Sequence, residues 1–360
     1  MQKTLVLIAL ILVSISCKTV KSTTQKQIQL RFLDEYIVPK NISIEGNLVG
    51  GLSGIDYANG NYYLICDDAS NPRYYKASIE INNSKIDTIA FTEVVAFNDS
   101  THYLDVESIR FDKKTNNVVI TSEGSVNLKK DPSFFSVDSE GSINHFFEIP
   151  DYFKATSKQQ PRNNGTLEGV AISNDQKGYW IAMELPLESD GPEPKVSETK
   201  SPVRITYIDA NTKKPTMQFA YLLDKIAKEP QGNFAVNGLT DLIEYHKNQF
   251  IIIERSYSSG LGTQGNTIRI YAVNAAKASN TIATESLINS ELVLANKKLL
   301  FDFESVRSQL TDTSIDNIEG LTVGPTLANG NQTLILVADN NFNKLGAQLN
   351  QFILLEILKK

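Results

Sequence analysis

A chain of 360 residues with 41% hydrophobic and 9% aromatic content has ample material for a core and is too apolar to be disordered. Its formal charge of −6 leaves no basic footprint, which argues against nucleic acid as a partner. His102, His145 and His246 share no ligand spacing, and no HExxH, paired CxxC or P-loop occurs, so zinc and nucleotide sites lack support.

The first residues read as a targeting segment. Lys3 precedes an apolar run from Leu5 to Val13, too short to span a bilayer, and Ser14-Ile15-Ser16 leads into Cys17. Small residues directly before a cysteine are similar to a bacterial lipoprotein cleavage site. That likeness implies a signal peptide over 1–16, Cys17 as the acylated first residue, and a chain held on a cell-envelope membrane. An ordinary secretory signal is the alternative. With Cys17 acylated, Cys66 is the one thiol left and reads as a small core residue. Residues 17–28 then form the lipidated cysteine and its polar tether, and 29–360 a single domain, expected to be monomeric.

The segment 29–38 is a lone strand stopped by Pro39. After it, one pattern recurs: a strand that begins at an acid, a turn, and an apolar return strand that ends on an acid. Leu52-Ser53-Gly54-Ile55 leads to Asp67, Val106-Glu107-Ser108-Ile109 to Glu123, and Leu167-Glu168-Gly169-Val170 to Glu184. Leu239-Thr240-Asp241-Leu242 leads to Glu254, and Ile318-Glu319-Gly320-Leu321 to Asp339. Repeats of this length mark an array of supersecondary units. Two further strands follow four of the pairs, near 74–81 and 89–96, 134–138 and 143–149, 203–208 and 217–222, and 268–273 and 298–303. The fifth pair is followed by 351–357 alone. The pattern predicts an all-β propeller of four-stranded blades, five in number, closed by the N-terminal strand as the missing fourth strand of blade five. A sixth blade fits only if a long connection hides more strands. The connections 154–165, 186–201 and 256–266 are long and polar, as functional or mobile loops are.

Antiparallel return brings both acids of each hairpin to one end of the sheet. In a propeller these are the two innermost strands of each blade, so the pairs crowd one mouth of the central channel. Carboxylates that close raise one another's pKa unless a cation neutralises them. The expected cation is a hard metal such as Ca²⁺, held by Glu107, Glu168, Glu184, Glu319 and Asp339, or else Arg73, Arg110 or Arg255. The architectural alternative is that each acid accepts hydrogen bonds from a neighbouring blade's amides. The early glycines, Gly169 and Gly320, fit close backbone approach.

The repeats Gly51-Leu52-Ser53-Gly54-Ile55-Asp56, Asp105-Val106-Glu107-Ser108-Ile109-Arg110, Thr166-Leu167-Glu168-Gly169-Val170, Glu254-Arg255-Ser256-Tyr257 and Asn317-Ile318-Glu319-Gly320-Leu321, with Ala338-Asp339-Asn340-Asn341, resemble the phytase-like domain family with esterase-like activity. The resemblance covers about residues 45–358. It implies a secreted β-propeller and, more loosely, kinship with calcium-dependent alkaline phytases. Those carry an Asp-Asp-Pro-Ala stretch, whereas this chain has Asp67-Asp68-Ala69-Ser70 and no dense Lys/Arg set for a polyphosphate. Three functions follow. The first is a Ca²⁺-dependent phosphoester hydrolase acting on a small or phosphorylated substrate, with Glu168, Glu319, Arg110 and Arg255 as catalytic residues. The second is a membrane-tethered binding propeller without turnover. The third is a serine esterase using Ser53 or Ser256, although no GxSxG elbow occurs.

Overall fold

A computed structural model describes residues 28–288, 290–344 and 346–359; the expected signal segment and Cys17 lie outside them. The first strand, β1 (Ile28–Val38), is followed by a two-residue hairpin, β2 (Ser43–Ile44) and β3 (Asn47–Leu48). Blade one is β4 (Leu52–Ala58), β5 (Asn61–Cys66), β6 (Arg73–Asn82) and β7 (Lys85–Ala96). Blade two is β8 (Val106–Asp112), β9 (Asn117–Ser122), β10 (Ser133–Val137) and β11 (Ile143–Phe146). Blade three is β12 (Leu167–Ile172), β13 (Gly178–Met183), β14 (Pro202–Asp209) and β15 (Pro215–Leu222). Blade four is β16 (Ala235–His246), β17 (Gln249–Ser258), β18 (Asn266–Asn274) and β19 (Asn296–Asp302). Blade five is β20 (Ile318–Thr326), β21 (Gln332–Ala338) and β22 (Asn350–Lys359), and β1 supplies its fourth strand. The fold is therefore an all-β, five-bladed propeller of four-stranded antiparallel blades, closed by the N-terminal strand.

Apolar residues recur on both faces of the inner strands because each blade is covered by two neighbours. Val337 and Leu354 of blade five pack with Leu64 and Tyr75 of blade one. Ile65 and Tyr74 meet Ile109 and Phe135 of blade two. Trp180 of blade three packs on Phe219 and edge-on against Phe250 of blade four. The closing strand is fastened by pairing with β22 from Ile28 to Val38, with one bulge at Leu33, and by Arg31, whose Nε donates to Glu356 at 2.8 Å. Tight hairpins such as Asn59-Gly60, with φ of 53° and 84°, join the two inner strands of a blade at the end away from the acids. Connections between second and third strands, and between blades, emerge at the acidic end. All three long polar loops named above lie there.

Candidate metal centre at the channel mouth

Every blade breaks register at the same place. The ladder between its two inner strands skips Ser53 in blade one, Glu107 and Ser108 in blade two, Glu168 in blade three, Thr240 in blade four and Glu319 in blade five. A β-bulge re-aims the extra residue, and here every residue it frees is buried. Next along the second strand from the residue paired just before the bulge come Asp67, Glu123, Glu184, Arg255 and Asp339; in blade four the ladder runs on to Ser258, so Arg255 is itself paired, with Gly238. In the other four blades this residue's amide donates to the residue just before the first strand: Asp67 to Gly51 O, Glu123 to Asp105 O, Glu184 to Thr166 O and Asp339 to Asn317 O. Neighbouring blades are tied at this level too, by Thr121 Oγ1 to Glu168 O at 2.8 Å and Thr166 Oγ1 to Glu123 O at 2.6 Å.

The five acids expected at one mouth are all buried there. Glu107, Glu168, Glu184, Glu319 and Asp339 are between 1% and 8% exposed. Burial and mutual repulsion hold Glu107 and Glu168 well above the usual carboxylate range. The same causes push Glu319 up to about 7 and Asp339 to about 8, with Arg255 opposing both. Arg255 bonds Glu319 Oε1 at 2.7 Å through Nη1 and Glu184 Oε1 at 3.1 Å through Nη2. Its Nη1 also donates to Asn317 Oδ1 at 2.5 Å.

Three further acids belong to the mouth. Asp67, Asp105 and Glu107 bring carboxylate oxygens within 4.8 Å of one another, and Glu107 alone of these was among the five expected ligands. Glu123 stands beside them, raised by burial and by Glu184, Asp105 and Asp67, with Oε2 buried and unpartnered. The sequence carries a signal for Asp105, which stands two residues before Glu107 at the opening of β8. All donors of this set are carboxylate oxygens, which fits a hard cation such as Ca²⁺. The Cys66 thiol is turned away, donating to Gly50 O at 3.2 Å.

Blade four departs from the expected acid pair. Glu254 lies opposite Leu239 in the ladder, one position short of the mouth. Its side chain accepts from Tyr221 Oη of blade three at 2.5 Å and from Lys297 Nζ of its own blade at 2.6 Å. Asp241 lies one position past the bulge, below the mouth, where the architectural reading holds: Leu321 N donates to it at 3.0 Å. Arg110 does not reach the mouth either. Its Nη2 meets both oxygens of Asp241 at 2.9 and 2.8 Å, Nη1 donates to Ile55 O at 2.9 Å, and Ser108 Oγ donates to Asp241 at 3.0 Å. This bridge plugs the channel. The remaining blades place Gly54, Gly169 and Gly320 at the same level, where a Cβ on Gly320 would lie 2.8 Å from Gly54 Cα. Arg73 is engaged locally with Asp68 at 3.1 Å.

The two serines weighed as nucleophiles make main-chain bonds. Ser53 Oγ donates to Val106 O at 3.4 Å, and Ser256 Oγ donates to Val236 O at 3.3 Å. Neither is hydrogen-bonded to a histidine; His102 pairs with Asp99 at 2.7 Å.

No curated protein matches the chain. Among solved structures it is similar to a GH43 β-1,3-galactosidase with galactodeoxynojirimycin, at 8% identity over 89% of this chain and 93% of that one, TM-score 0.45. It is also similar to the glutaminyl cyclase of Myxococcus xanthus, at 7% identity over 93% and 99%, TM-score 0.40. A third is the Malassezia sympodialis allergen Mala s 1, at 9% identity over 89% and 82%, TM-score 0.40. A family model described as "Esterase-like activity of phytase" matches residues 47–342, most of the chain, and the chain belongs to this phytase-like family.

Proposed function

We propose that the chain is a divalent-cation-dependent phosphoester hydrolase of the cell envelope, anchored through Cys17, with Ca²⁺ against Asp67, Asp105 and Glu107. The observation that carries this reading is the uncompensated side of the mouth: four neighbouring acids, one of them with a buried oxygen that no donor meets. A bound cation there supplies Lewis-acid polarisation of a phosphoryl oxygen. Glu168 and Glu319 are the residues for proton transfer: burial raises both carboxyls, Glu319 to about 7, where acid–base catalysis near neutral pH is effective. Arg255 positions Glu184 and Glu319 and is the guanidinium this reading assigns to an entering phosphate.

The test is hydrolysis of a soluble phosphomonoester with calcium and with chelator. Turnover that needs calcium, and that is lost in Asp67→Asn with Glu107→Gln, is the expected result; turnover indifferent to chelator contradicts it. A second reading, a binding propeller without turnover, is favoured by the engagement of both Arg255 Nη atoms with protein partners. Calcium binding with no hydrolysis of any phosphoester would establish that alternative instead.

A further inference from the structure

Strand β1 determines where the N-terminal segment leaves the propeller. Val38 pairs with Asn350, beside loop 339–349 at the mouth, and Ile28 pairs with Lys359 at the opposite end. Because β1 is the outermost strand of blade five, Ile28 stands at the rim of the face that does not carry the acids. At a strand rise of about 3.3 Å per residue, the 11 residues of β1 span roughly 36 Å. Cys17 precedes Ile28 by about eleven peptide steps, which reach at most roughly 36–40 Å when fully extended. A tether turned back along β1 would be used up in regaining the level of the mouth. The acids are moreover buried, Glu107, Glu168, Glu184, Glu319 and Asp339 being between 1% and 8% exposed, so a surface laid across that face would not meet them directly.

We propose that, with Cys17 as the point of attachment, the acidic mouth is turned away from the bilayer that holds the chain, so its substrates are soluble phosphoesters rather than headgroups of that bilayer. The substrate half rests on the hydrolase reading above; the orientation half rests on β1 and the length of the tether.

Both halves can be tested on one preparation. A chain beginning at Cys17 is condensed through its N-terminal aminothiol with a cyanobenzothiazole-bearing lipid, which makes attachment independent of cellular acylation. It is then bound to phosphatidylcholine vesicles that contain phosphatidic acid, a phosphomonoester. A dye is placed on Leu128→Cys, in the mouth-side loop 123–132, or on Lys85→Cys, at the opposite end of blade one; both positions are exposed, and Cys66 is buried. Energy transfer to a bilayer acceptor should be several-fold stronger from Lys85→Cys than from Leu128→Cys. With calcium, a soluble phosphomonoester should be cleaved at least tenfold faster than the vesicle phosphatidic acid. Equal or reversed transfer overturns the orientation, whatever the activity. The expected transfer with phosphatidic acid cleaved as fast as the soluble ester overturns the substrate half. The expected transfer with neither ester cleaved supports the orientation and overturns the hydrolase reading.

Discussion

Blade two offers the mouth Asp105, Glu107 and Glu123, whereas blade four offers Gly238, Thr240 and Arg255 from the same three positions. Both carry a bulge in the inner strand, of two residues at the start of β8 and of one residue inside the longer β16, whose ladder runs on to Ser258. At the mouth itself the residue types separate them. A guanidinium in blade four reaches one acid on each flanking blade, Glu184 of blade three and Glu319 of blade five. Blades one and two lie on the other side of the ring, where Asp67, Asp105, Glu107 and Glu123 repel one another. One part of the mouth is neutralised from within the chain, and the other is left to protons or to a cation from solution.

The largest expected effect comes from removing the internal cation. Arg255→Gln leaves two buried carboxylates without their partner and should cost about 3–5 kcal/mol at pH 8. Calcium should return part of that loss by occupying the vacated side. Arg110→Gln should cost about as much, by the same loss of a buried pair, but calcium should not help, because Ser108 and Leu321 close over Asp241. Urea unfolding of both variants with and without calcium measures this, and equal recovery would show that mouth and plug are not separate.

Next is protection of the intact protein. Calcium at a hundredfold excess over its dissociation constant should add about 2.7 kcal/mol of stability by mass action. Asp67→Asn with Glu107→Gln should abolish the shift in melting temperature, whereas Glu184→Gln should keep most of it. Glu168→Gln with Glu319→Gln sharpens the boundary, since those carboxyls stand between the two sides; it should reduce the shift without abolishing it.

Acid should substitute for metal. Glu319 and Asp339 hold protons more tightly folded than unfolded, with pKa values of about 7 and 8. Their contribution is therefore full below about pH 4, where the unfolded carboxyls are also protonated, and is lost as pH rises through 7 to 8. Metal-free protein should lose on the order of 2 kcal/mol across that window, and saturating calcium should flatten the profile. Melting curves from pH 4 to 9 test the sign; rising stability over that range in chelator would contradict it. The smallest effect concerns Thr240, whose Oγ1 is buried without a partner. Thr240→Val should change stability by less than about 1 kcal/mol, because no hydrogen bond is lost.

Much of this was legible in the sequence because strand pairs and glycines repeat with the blades. The closing role of 29–38 followed from counting strands, and Gly169 and Gly320 followed from their place early in inner strands. What escaped was register. Periodicity places Asp241 and Glu254 at the ends of a hairpin just as it places Glu168 and Glu184, yet the bulge selects Thr240 and Arg255 instead. A shift of one residue moves a side chain to the other face of the strand, and no local propensity marks where a bulge sits. Arg110 escaped for a related reason: three residues past Glu107, beyond a two-residue bulge, it faces Asp241 of blade four across the axis, a contact between non-adjacent blades.

The central claim is that the side of the mouth left without an arginine binds a divalent cation. Calorimetric titration with calcium at pH 7.5, repeated in buffers of different ionisation enthalpy, tests it most directly. The account predicts saturable binding that releases protons, because carboxyls held protonated by burial must ionise to become ligands. It predicts that Asp67→Asn with Glu107→Gln abolishes that binding and that Glu184→Gln does not. A flat titration, or binding that survives the first variant and vanishes in the second, would contradict it.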